Sequence, residues 1–135
     1  MNITQESDYA IRAILILANE DSILDANAIS KESSVPLRFL LKILRKLGQA
    51  GIVKSYRGAA GGYRLNKAPK DITLLDVIQA IEGKIQINRC FYDEAACNSK
   101  LKGNCSIHRA LFDVQLKLTN ELKKINFDDL KNGVW

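Results

Sequence analysis

Three cysteines and the chain's single histidine lie close together as Cys90, Cys97, Cys105 and His108, in the pattern C-x6-C-x7-C-x2-H. Three thiols and one imidazole form a donor set for zinc or for an iron–sulfur cluster. Residues 84–104 around them are rich in Gly, Asn, Ser and Lys and carry no sustained hydrophobic period. A loop of that length in a compact domain is functional or disordered. Cys105 directly precedes a helical pattern, and a helix N-terminus favours a thiolate. The same residues also fit buried structural cysteines, a structural Cys3His zinc site, or a metal-free thiol sensor in which a low-pKa cysteine is oxidised. One histidine and no nucleophile–base pair leave little scope for acid–base catalysis, so no enzyme is expected.

Two helices must hold this loop. Before it, Thr73 and Asp76 make a capping box for a helix over residues 73–82, with Leu74, Val77, Ile78 and Ile81 inward and Gly83 at its end. After it, residues 106–124 carry Ile107, Leu111, Val114, Leu118, Leu122 and, just beyond, Ile125 at spacings of three and four. That stripe is a coiled-coil-like seam, expected either to pair two copies of the chain or to complete a monomer core.

Upstream, residues 34–65 read SVPLRFLLKILRKLGQAGIVKSYRGAAGGYRL. Ser34 or its neighbour can cap a helix in which Leu37, Leu40, Leu44 and Leu47 form one stripe. Arg38, Lys42, Arg45 and Gln49 form another on the opposite side. Gly51 is placed to end that helix. Strand-like runs at 52–56 and 62–65 flank Arg57-Gly58-Ala59-Ala60-Gly61, which reads as a hairpin with a cation at its tip. Two earlier helices are expected over 5–20, with Ala10, Ala13, Ile14, Leu17 and Ala18 buried, and over 26–33, capped by Asp25, with Ala28 and Ile29 inward. Two helices joined by a short turn, the second one cationic, make a helix-turn-helix, and the basic hairpin makes it a winged one.

Charge supports a nucleic-acid partner. Residues 1–35 hold two cations and six anions, residues 36–70 nine cations and no anion, and residues 71–135 nine of each. The whole excess of +5 therefore falls on the cationic helix and hairpin. No apolar run approaches the ~20 residues of a membrane span. The N-terminus has no secretory pattern, so a cytoplasmic chain with reduced thiols is expected. Neither a membrane nor a small-molecule substrate is expected as a partner.

The opening DYAIRAILILA, the FLLKILRKLGQAGIVKSYRGAAGGYRL stretch, the three-cysteine loop and CSIHRALF together resemble the Rrf-two family of bacterial winged-helix regulators, which includes IscR-like and NsrR-like members. Most specific is VKSYRGAAGGYRL, which is similar to the family's VxSxRGxxGGYxL wing. The resemblance implies a mainly α fold with a small β-hairpin wing and a long dimerisation helix. It further implies a homodimer that binds double-stranded operator DNA and holds an iron–sulfur cluster on Cys90, Cys97 and Cys105. Arg38 and Lys42 would face the major groove and Arg57 would enter the minor groove, with Arg45, Ser55, Gly58 and Tyr63 completing the DNA-binding set. His108 is the implied fourth ligand, and Asp8 of the other subunit is the alternative. The cysteine spacings are longer than in IscR-like members, which leaves 2Fe–2S, the favoured cluster, beside 4Fe–4S, with zinc as the alternative metal. Leu41 stands where IscR-like members have a glutamate used in base selection, so a different operator is expected. The expected organisation is a winged domain over 1–83, a cluster-binding loop over 84–105, and a dimerisation helix with its tail over 106–135.

Overall fold

In the computed structural model, residues 2–101 and 103–135 are described. Helix α1 (Gln5–Glu20) is capped by Thr4, whose side chain accepts from the Ser7 N–H, and it buries Ala10, Ala13, Ile14, Leu17 and Ala18 as expected. Helix α2 (Ala26–Ser33) is capped by Asp25, which accepts from the Ala28 N–H at 2.7 Å, and it turns Ile29 into the core. Ser34 does not cap the third helix. It closes α2 in the left-handed region, at φ 57, and Pro36 occupies the cap position of α3 (Leu37–Gln49) without a side-chain bond.

The buried face of α3 is Leu40, Ile43, Leu44 and Leu47, whereas Leu37 is 37% exposed. Ile43 replaces Leu37 because the core meets the middle and end of the helix, while its first turn stands proud. The helix ends in a Schellman motif: the Ile52 N–H donates to the Leu47 carbonyl and the Gly51 N–H to the Gly48 carbonyl, both at 3.0 Å. Gly51 takes φ 76 there, which a residue with a Cβ adopts only at a cost.

Strands β1 (Val53–Tyr56) and β2 (Gly62–Leu65) pair antiparallel, Val53 opposite Leu65 and Tyr56 opposite Gly62. The first strand starts one residue later than expected. Leu24, between α1 and α2, adds a third edge by exchanging backbone bonds with Tyr63 at 3.0 and 2.7 Å. A Cβ on Gly62 would lie 2.3 Å from the Leu24 carbonyl oxygen, so only glycine admits this approach. The wing is thereby fastened to the helices.

Helix α4 (Leu74–Glu82) has both bonds of the Thr73–Asp76 capping box and ends at Gly83. Val77 and Ile78 are buried, while Leu74 and Ile81 pack half-buried against the core. Helix α5 (Ser106–Lys124) matches its expected span, and Gln115 is its one buried residue. A short helix, α6 (Phe127–Lys131), was not foreseen. Asn126 caps it, and Phe127 is completely buried in the same core as α1 and α3. Backbone bonds from Leu74 to Ile125 (2.9 Å) and from Phe127 to Ile72 (3.0 Å) hold the tail there.

Candidate nucleic-acid interface and cysteine loop

On α3, Arg38, Lys42 and Arg45 are exposed and fall on one face. Among the described residues, neither these three nor Arg57 forms an ion pair. Two other cations of the basic stretch are neutralised locally: Lys46 by Glu6 at 2.7 Å and Arg64 by Asp21 at 3.2 Å. The exposed cations of the α3 face are therefore left free of carboxylate partners among the described residues, open to an incoming polyanion. The Arg38 guanidinium lies 4.7 Å from the Phe39 ring centre, a cation–π contact that steadies it.

A groove separates α3 from the wing, and Leu41, Arg45, Gln49, Lys54, Ser55 and Tyr63 are among its lining residues. Ser55 and Tyr63 are register partners across the hairpin. Tyr63 is half-buried, since its ring also packs on the core. Arg57 and Gly58 form the exposed tip, closed by the Gly61 N–H donating to the Gly58 carbonyl at 3.0 Å. The seven expected DNA-contacting residues thus occupy one helix face and one wing. Exposed Phe39 and Leu41 lie on α3 as well, outside that expected set.

The cysteine loop contains two short 3-10 turns, Arg89–Phe91 and Glu94–Ala96. Cys90 lies within the first, Cys97 closes the second, and Cys105 is the N-cap of α5, its sulfur accepting from the His108 N–H at 3.5 Å. Cys90 Sγ approaches His108 Nδ1 to 3.3 Å. The His108 ring sits edge-on to Phe91 at 4.8 Å and parallel to Phe112 at 6.5 Å. Those two aromatics are the part of the site that spacing alone did not signal. Gln115, buried on α5, accepts from the Ile87 N–H at 2.8 Å and ties the loop's start to the helix.

All three cysteines are free thiols. Among the described residues, no three His, Cys, Asp or Glu side chains converge as a metal site. The structure therefore brings Cys90 and His108 together, sets Cys105 beside them along the chain, and does not close the set with Cys97. Asp8, in the first turn of α1, is paired with Arg12 at 2.7 Å. Among the described residues, no helix is long and apolar enough to cross a membrane.

The model of the Rrf2 family, described as iron-dependent transcriptional regulators, matches residues 3–133. This chain belongs to the Rrf2 family. It is 30% identical to the HTH-type transcriptional regulator NsrR of Bacillus subtilis, over 96% of this chain and 90% of that one. Its fold superposes on T. potens IscR with a TM-score of 0.76, at 22% identity, over 100% of this chain and 89% of that one. CymR, the global cysteine regulator of B. subtilis, superposes with a TM-score of 0.75, at 22% identity, over 98% of this chain and 97% of that one. The winged fold and the Rrf2 membership make the chain a DNA-binding transcriptional regulator and not an enzyme.

Proposed function

We propose that this Rrf2 regulator acts in the cytoplasm as a homodimer on operator DNA and senses redox, nitric oxide or iron–sulfur status through an iron–sulfur cluster. Arg38, Lys42 and Arg45 approach the major groove, and the Arg57-Gly58 tip, with Ser55 and Tyr63 behind it, follows the adjacent minor groove. The observation that carries the sensing half is the contact between Cys90 and His108 at the head of α5. Thiols and an imidazole are chemically suited to hold such a cluster. Cys90, Cys97 and Cys105 would ligate it, and it would supply a centre that reacts with oxidants or nitric oxide.

His108 is the better fourth ligand, because it already touches Cys90, while Asp8 of this chain is engaged by Arg12. The longer cysteine spacing keeps both 2Fe–2S and 4Fe–4S compatible with the donor set. Phe91 and Phe112 fix the imidazole plane, and Gln115 couples the loop's position to α5. A coupling of about 1–3 kcal/mol between loop and DNA face would change operator affinity roughly 5–150-fold.

The same thiol–imidazole contact favours a second reading, in which Cys90 is a metal-free redox thiol. The structural likeness to a cysteine regulator is in keeping with it. Anaerobic purification followed by iron, sulfide and zinc analysis separates the readings. Stoichiometric iron and sulfide support the cluster, zinc alone replaces it with a structural Cys3His site, and absence of all three leaves the thiol sensor.

A further inference from the structure

Leu41 borders the cationic face of α3 on the side of the groove. Leu41 lies three residues after Arg38 and four before Arg45, so the leucine is a helical neighbour of both cations. It is 46% exposed, lines the groove between α3 and the wing, and does not belong to the hydrophobic core. A large apolar side chain left in water at the border of a stripe of unpaired cations gains contact only when that stripe docks. The surrounding charge selects DNA as the occupant, because those cations would disfavour an apolar protein surface. The apolar feature that base edges present in the major groove is the C5 methyl of thymine.

We propose that Leu41 makes operator recognition thymine-dependent, by packing against a thymine methyl group in each half-site. This rests on the DNA-binding reading of α3. A leucine offers a base edge neither a hydrogen-bond donor nor an acceptor, so the readout available to it is steric and apolar.

The test uses the intact protein and double-stranded DNA selected from random sequence. Each thymine of the selected site is then replaced in turn by uracil, which removes only the methyl group. Replacing the contacted thymine in one half-site should weaken binding roughly fourfold, the effect of losing one buried methyl contact. Leu41→Ala, whose site is exposed and outside the core, should bind the thymine and uracil sites equally. Unchanged wild-type affinity at every uracil position overturns the proposal while leaving DNA binding intact. So does a Leu41→Ala protein that still discriminates thymine from uracil. If selection enriches no sequence at all, the DNA-binding reading of α3 fails and the thymine contact fails with it.

Discussion

Arg57 stands exposed at the tip of the wing without a carboxylate partner among the described residues, in a turn closed by backbone atoms alone. Its removal should therefore leave the fold untouched and weaken DNA binding. Arg57→Ala is expected to cost about 1–3 kcal/mol at a specific site, read by fluorescence anisotropy. Unaltered affinity would take the wing tip out of recognition. For the proposed fourth ligand, His108 and Asp8 are the two candidates. If His108 ligates the proposed cluster, His108→Ala, reconstituted anaerobically, should change its absorption, air lifetime and redox potential, since imidazole ligation would lower the net negative charge of the site. Asp8→Ala should lose only its exposed ion pair with Arg12, a contribution of about 0–1 kcal/mol. The reverse pattern would make Asp8 the ligand and bridge the site across two subunits.

At the scale of elements, α5 is the least covered helix of the fold. Ile107, Phe112, Val114, Leu116 and Leu118 are all exposed in the single chain. A helix with this much apolar surface in water calls for a partner, and the proposed one is the same helix of a second copy. Val114 is 51% exposed, so Val114→Glu should not disturb the isolated fold. It should instead place an unpaired carboxylate in the seam and yield folded monomers by sedimentation at micromolar concentration. A variant that still dimerises would move the interface off this stripe. Helices whose caps, periods and ends coincide were readable from the chain: Thr73 with Asp76, Asp25 before α2, and Gly51 after α3 each act locally. What was not readable depends on partners distant in sequence. Leu24 becomes a strand edge only because Tyr63 arrives beside it. Leu37 has the same helical spacing as Leu40 but misses the core because of where α1 and α4 pack. The cysteine spacing announced a donor set, yet only folding decides that Cys90 meets His108 while Cys97 stays outside that contact.

Over the whole molecule, the C-terminal segment contributes Phe127 to the same core as α1. Five residues of α6 give too short a pattern to read, but Phe127 within them is 0% exposed. Phe127→Ala should cost about 3–5 kcal/mol by opening a cavity next to α1, measured by chemical denaturation monitored at far-ultraviolet wavelengths. A loss below 1 kcal/mol would mean that the core holds without its tail. The backbone bonds between Leu74 and Ile125, and between Ile72 and Phe127, have one more consequence. They staple together the two ends of the segment running from α4 through the cysteines to α5. Such a closed excursion tolerates insertions well, because doubling the length of a flexible loop adds only about 0.6 kcal/mol of closure entropy. If the loop is the proposed sensor, its cysteines can be respaced to suit another signal while the winged domain keeps its own geometry.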